Sequence, residues 1–94
     1  MNKIELKFDK SLSGLAGNSY GVSEYNSQLK DKFDWNGMNV IVFPNHIEKI
    51  GISFIQGFFS AILEKINKND IEKYIKVESS SKELTAKIIE NIKF

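Results

Sequence analysis

One short segment, Asn39–Phe43, limits the possible folds of this chain more than any other. It is a nearly continuous apolar run with β-branched residues at its centre, and it shows no alternation between polar and apolar positions. Such a run is typical of a central strand that is covered on both faces. Pro44 follows at once and ends the strand, because proline has no N–H to donate to a strand ladder.

The longest predicted helix follows this strand. Its apolar positions recur at i, i+3, i+4, i+7, i+8 and i+11 and form one wide stripe: Ile55, Phe58, Phe59, Ile62, Leu63 and Ile66. Ser53 and Gln56 have the spacing of a capping box, which predicts that the helix begins at Ser53. Gly57 lies inside the helix, where glycine often permits close approach of a strand or a partner.

Weaker patterns predict the other elements. Ile4–Phe8 alternates apolar and charged residues, as a half-buried strand does, and Lys73–Val77 is a third strand candidate. Ser11–Gly21 is rich in Gly, Ser and Asn and is predicted to be a loop. Ser23 is the predicted cap of a helix that runs to about Phe33.

The last helix begins after three serines, and Ser80 with Glu83 forms a second predicted capping box. The order of elements is then strand, loop, helix, strand, helix, strand, helix. This alternation predicts one α/β domain over residues 1–94, with a mixed sheet of three to four strands and about three helices. With so small a sheet, we expect the helices to cover one face and leave the other available to a partner. A short edge strand, Ile4–Phe8 or Tyr74–Val77, is a candidate for pairing between two chains in a homodimer.

Composition argues against several classes of function. The formal net charge is +1 and the lysines are scattered among acidic residues, so we expect no nucleic-acid partner. The chain has no cysteine and one histidine, so we expect no metal site. The longest apolar stretch, Ile50–Leu63, is interrupted by polar residues and glycines, and the first residues lack the apolar run of a signal peptide. These patterns predict a cytoplasmic protein that does not enter a membrane.

A catalytic centre is not expected either. No Gly-x-Ser-x-Gly elbow is present, and Gly14, Gly17 and Gly21 are spaced too loosely for a phosphate-binding loop. We therefore predict a protein that is not an enzyme and needs no cofactor, with a nucleotide-binding domain as a lesser alternative. His46 follows the central strand, where α/β folds place ligand sites, and it is either a site residue or an exposed loop histidine.

The central segment resembles the core of STAS-type domains, the family that includes the bacterial anti-sigma factor antagonists. The resemblance rests on Val40–Phe43, then Ile47–Phe54, then Gly57–Phe59. It is similar above all to a STAS-like branch of bacterial proteins in which a strand leads to a Ser-Ser-Phe helix start. The resemblance implies a switch module that binds a histidine-kinase-like ATPase and is released when a serine at the helix start is phosphorylated.

The chain departs from the family pattern at the helix start. Gly51 and Ile52 occupy the Asp-Ser positions, Ser53 matches the second serine, and Pro44 replaces the acidic residue after the strand. Ser53 is therefore either a phosphorylation site or only a helix cap. The resemblance predicts a partner-binding surface made of Asn45, His46, Glu48, Lys49, Ser53 and Phe54. A different hypothesis is a small inhibitor from a mobile element or phage that binds and blocks a host protein.

Overall fold

The computed structural model describes residues 1–93, in which strands and helices alternate along the chain. The strands are β1 (Asn2–Glu5), β2 (Gly14–Leu15), β3 (Asn39–Val42), β4 (Lys49–Ile50) and β5 (Ile75–Glu78). The helices are α1 (Asn18–Glu24), α2 (Ile52–Lys65) and α3 (Lys82–Lys93). A π-helical turn, Tyr25–Leu29, extends α1, and a 3₁₀ helix, Lys68–Lys73, leads into β5.

Strand β3 is the centre of the main sheet, as its apolar run predicts. Its neighbours are β1 and β5, both parallel to it, with Ile4 beside Ile41 and Ile41 beside Val77. Strands β2 and β4 form a separate parallel pair. The predicted α/β class is confirmed. In place of one mixed sheet, the pairings within residues 1–93 form two sheets, both parallel, because each connection from one strand to its partner passes over a helix or a long loop.

One face of the main sheet carries the core. Ile4, Ile41 and Val77 are at most 4% exposed and join a cluster of aliphatic and aromatic side chains from α2, α3 and the π-helical turn that extends α1. The opposite face carries charged side chains in two rows of opposite sign. Lys3 and Lys76 flank Val40, and Glu5 and Glu78 flank Val42. Those charged side chains are exposed, so the helices cover one face only.

Helices α1 and α2 touch through their backbones at two glycines. A Cβ atom built on Gly57 would overlap the carbonyl oxygen of Asn18, and one built on Gly21 would overlap the carbonyl oxygen of Phe54. It would also lie 2.8 Å from the backbone nitrogen of Phe58. Gly57 permits close approach as expected, but the approaching element is helix α1 of the same chain and not a strand or a partner.

The predicted start of the first helix is wrong, and the last helix, which begins after the three serines as predicted, does not use the Ser80 capping box. Helix α1 begins at Asn18, so Ser23 lies inside it and part of the predicted loop is helical. Gly17 is the residue before α1, and its φ of 97° is a conformation that other residues rarely adopt. Helix α3 is capped by Ser81, whose Oγ accepts from the N–H of Leu84 at 3.0 Å.

Ser80, the predicted cap of α3, has a different role. Its hydroxyl donates to the carbonyl oxygen of Ile47 at 2.9 Å. This bond joins the start of α3 to the loop that follows β3. The three consecutive serines offered several caps of equal local quality, and the position of that loop decides between them.

A buried asparagine organises the amino-terminal end of the main sheet. Asn39 is 0% exposed. Its Oδ1 accepts from the N–H of Asp34 and from Asn2 Nδ2, both at 2.8 Å. Its Nδ2 donates to the carbonyl oxygens of Asp34 at 2.8 Å and of Tyr74 at 3.1 Å. One side chain therefore ties the turn before β3 to the residues that begin β1 and β5.

Candidate functional site

The candidate surface begins in the loop between β3 and β4, which its own backbone holds in place. The N–H groups of Glu48 and Lys49 both donate to the carbonyl oxygen of Ser13, at 2.7 and 3.2 Å. Further along, the N–H of Gly51 donates to the carbonyl oxygen of Leu15 at 2.7 Å. The loop is thus fixed along its length to the segment that forms β2, while Asn45, Glu48 and Lys49 keep exposed side chains.

His46 fastens the beginning of this loop. Its Nε2 lies 3.1 Å from the carbonyl oxygen of Asp9, and because a carbonyl can only accept, Nε2 carries the proton in this contact. The imidazole is half-buried. Hydrogen bonds from the hydroxyl and N–H of Ser11 lower the pKa of the Asp9 carboxyl, and nearby His46 lowers it further. His46 is therefore a link between two loops and presents only part of its ring to solvent.

Helix α2 begins without a side-chain cap from the described part of the chain. The residue before it is Gly51, in an extended conformation with φ −71° and ψ 151°. Ser53 is already the second helical residue and is exposed, so the predicted Ser53 cap is wrong. Its carbonyl oxygen is 3.5 Å from Asn18 Nδ2, which brings the first turns of α1 and α2 together. The Ser53 side chain does not cap the helix and is exposed to solvent.

The sequence predicts that Phe54 is part of the partner-binding surface, but its side chain lies in the core. It is 0% exposed, and its ring stacks on Phe58 with 5.6 Å between ring centroids. Tyr20 packs edge-on against it at 5.4 Å and Phe8 at 6.3 Å. Phe54 is a core residue because α1 and the end of the β1 segment close over it. Neither contact is visible in the local pattern around Phe54.

Ile52 is the surface residue that the sequence pattern did not select. It is the first residue of α2 and is 50% exposed, which is unusual among the large apolar side chains of this structure. It lies at the border of the apolar stripe of α2, where periodicity alone does not decide burial. The available signal was the residue type itself, an isoleucine directly before the predicted helix start at Ser53.

A shallow groove lies beside this surface, between the β2–β4 pair and the first turns of α3. Glu48 and Lys49 form one rim, and Glu83 and Lys87 form the other. Between the rims the groove is lined mainly by small and apolar residues, among them Leu15, Ala16 and Leu84. Charges of both signs therefore flank an apolar lining, as the polar rim of a protein interface surrounds its apolar centre.

Residues 1–93 meet neither the requirements of a metal site nor those of a membrane-spanning helix. In that range no cluster of three or more His, Asp or Glu side chains is placed to hold a metal ion. No helix within the same residues combines the length and apolar character needed to cross a bilayer.

Comparisons of the chain with protein-family models, with curated proteins and with solved structures give no match.

Proposed function

We propose that this chain is a non-catalytic regulatory domain of the STAS-like kind, which binds another protein through the α2-start surface. This surface consists of the exposed parts of Asn45, His46, Glu48, Lys49, Ile52 and Ser53. The observation that carries the proposal is Ile52, an apolar side chain 50% exposed at the first position of α2. An exposed apolar side chain surrounded by polar residues is suited to become the buried centre of a protein interface, where a few residues supply most of the binding energy.

The rigidity of the α2-start surface supports the same proposal. Binding costs free energy when loops and side chains must be ordered, and a surface that is ordered beforehand avoids part of that cost. Here the loop backbone is fixed to Ser13 and Leu15, and Ser80 holds the carbonyl of Ile47 from the other side. The exposed side chains thus stand on a platform that needs little rearrangement to accept a partner.

The resemblance to STAS-type domains suggests a histidine-kinase-like ATPase as the partner, with Ser53 as the phosphorylation site. The Ser53 side chain is exposed at the second position of α2. A phosphate there adds a charge of about −1.5 to −2. In the free domain, a negative charge at the start of a helix is favourable. In a complex that covers Ser53, the same charge loses its hydration, which costs binding free energy. This proposal places the protein in the cytoplasm, where a cysteine-free chain is suited to the reducing conditions.

We expect Ser53→Glu to separate stability from binding. The added carboxylate lies in the first turn of α2, so the free energy of unfolding rises by about 0.5 kcal/mol through its interaction with the helix dipole. Affinity for the partner falls by about tenfold or more, since the charge is buried in the complex. Urea unfolding measures the first effect. Titration against each purified histidine-kinase-like ATPase from the source genome measures the second.

Ser60→Glu is the matched control, because Ser60 is exposed on the same helix two turns further on. It should leave partner affinity within about twofold of wild type, as expected for a charge outside the interface. Equal losses for both variants would show that the α2-start surface is not the binding site. If none of the ATPases binds the wild-type domain, the proposed partner class is wrong.

A further inference from the structure

The two edges of the main sheet differ in how they are protected. Along β1, the side chain of Gln28 imitates a neighbouring strand just beyond Glu5: its Oε1 accepts from the N–H of Lys7 at 2.6 Å and its Nε2 donates to the Lys7 carbonyl at 2.7 Å. At the other end of β1, Asn2 Nδ2 donates to the carbonyl of Lys32 at 2.6 Å. The segment that follows α1 therefore runs beside β1 and blocks this edge against another strand.

Among the described residues, nothing covers the β5 edge in this way. The carbonyl oxygens of Tyr74 and Glu78 accept from β3 at 2.7 and 2.9 Å, which fixes the side of β5 that faces the sheet. Backbone groups alternate between the two sides of a strand, so those of Ile75 and Val77 point away from β3. No hydrogen-bond partner for them occurs within residues 1–93. An open edge of this kind is a template for another strand.

We propose that a second copy of this chain pairs with the β5 edge, strand β5 against strand β5, to form a two-fold symmetric dimer. A two-fold axis perpendicular to the sheet makes identical strands antiparallel and requires a self-complementary sequence. With the axis at Val77, that residue lies opposite Val77 of the partner subunit, and both use their outward N–H and C=O groups. In this register Lys76 lies opposite Glu78 of the partner subunit, and Glu78 lies opposite Lys76 of the partner subunit.

Charge complementarity selects the second copy as the occupant. Lys76 and Glu78 both project from the face of the sheet that the helices leave uncovered, where they are exposed. In an antiparallel pair, residues that flank a hydrogen-bonded pair approach most closely, and opposite charges at those positions stabilise the pairing. Each dimer therefore contains two such cross-strand ion pairs, whereas a shift of register by two residues removes both.

The core side of the same edge is apolar. A groove runs between β5 and α3, lined by Ile75, Val77 and half-buried Ile89. Continuing the sheet across the two-fold axis brings the second copy's groove against this one and covers both. The β5 edge and the α2-start surface share no residue, so the proposed dimer and the proposed regulatory partner use different side chains.

Charge reversal at β5 tests this dimer. Lys76→Glu alone and Glu78→Lys alone each place like charges opposite each other in both cross-strand pairs, so each variant should dimerise about tenfold or more weakly than wild type. An equimolar mixture of the two variants restores opposite charges in both pairs, and dimers that contain one chain of each should form with wild-type affinity. Sedimentation equilibrium measures the dissociation constants, and native mass spectrometry with one isotope-labelled variant identifies the mixed dimer.

Lys3→Glu is the matched control, since Lys3 lies in the same row of the sheet as Lys76 but on the blocked β1 edge. It should leave the wild-type dissociation constant unchanged. The inference is overturned if the wild-type chain sediments as a 10.7 kDa monomer at its highest soluble concentration. It is overturned equally if both single reversals dimerise like wild type, or if the mixed dimer does not form.

Discussion

Gly57→Ala lowers the free energy of unfolding by about 3 kcal/mol or more, even though alanine favours a helix over glycine by roughly 1 kcal/mol. The added methyl group overlaps the carbonyl oxygen of Asn18, and its Cβ would also lie 3.0 Å from the Asn18 carbonyl carbon. These are backbone atoms of α1, which cannot move aside by changing a rotamer. The two helices must separate, and the core beneath them opens. Thermal unfolding should show a fall in Tm of more than about 10 °C for a domain of this size.

Gly14→Ala is the control for this prediction. A Cβ atom there would have the carbonyl oxygen of Lys49 as its nearest neighbour at 3.5 Å, an ordinary van der Waals contact. We expect a change within about 0.5 kcal/mol, as for most exposed positions. Wild-type stability of Gly57→Ala would mean that α1 and α2 do not cross at this glycine.

Asn39→Leu is the second substitution with a large expected effect, a loss of about 3 kcal/mol. Leucine has a similar volume, so the change leaves no large cavity. It removes the acceptor for the N–H of Asp34 and the donor for the carbonyl of Asp34, whereas the carbonyl of Tyr74 keeps its bond from the backbone N–H of residue 39. Each buried polar group left without a partner costs about 1–3 kcal/mol. Urea unfolding measures the loss, and amide hydrogen exchange should locate the loosened backbone in the turn before β3.

Asn36→Leu provides the comparison, because Asn36 lies in the same turn but is exposed. Its backbone N–H donates to Asp34 Oδ1 at 2.9 Å, and this bond does not depend on its own side chain. We expect a change within about 0.5 kcal/mol. Equal stabilities of the two variants would contradict the role assigned to the buried amide of Asn39.

The parts of the fold that were predictable are those whose pattern is local. The apolar run Asn39–Phe43 identifies β3, and the stripe from Ile55 to Ile66 identifies α2 to within about one residue of its observed start. Both patterns arise because a strand or helix must bury one particular set of side chains. Strand β5 begins two residues later than expected, at Ile75, because the 3₁₀ helix occupies the residues before it.

The parts that were missed depend on contacts distant in the sequence. Helix α1 lies in a segment rich in Gly, Ser and Asn with little tendency to form a helix alone. It forms where Gly21 allows its backbone to rest on α2. Strands β2 and β4 are two residues each, too short to leave a period in the sequence, and they exist because they pair with each other.

The candidate surface divides in the same way. Asn45, Glu48 and Lys49 are exposed as the loop pattern suggests, and Ser53 is exposed at the start of α2. Phe54 is buried and Ile52 is exposed, whereas the surface predicted from the sequence includes Phe54 and does not include Ile52. Whether Ile52 or Phe54 points into the core depends on the residue at which the extended backbone ends and α2 begins. The hydrogen bond from the N–H of Gly51 to the carbonyl of Leu15 fixes that point.

Site-specific photo-cross-linking is the most direct test of partner binding at the α2-start surface. A benzophenone amino acid replaces Ile52 in one variant and Lys68 in another; Lys68 is exposed beyond the opposite end of α2, roughly 20 Å away. After irradiation of living cells, the position-52 variant should give a covalent adduct with a protein that carries a histidine-kinase-like ATP-binding domain, and the position-68 variant should give none. The same adducts from both positions, or none from position 52, would contradict the account.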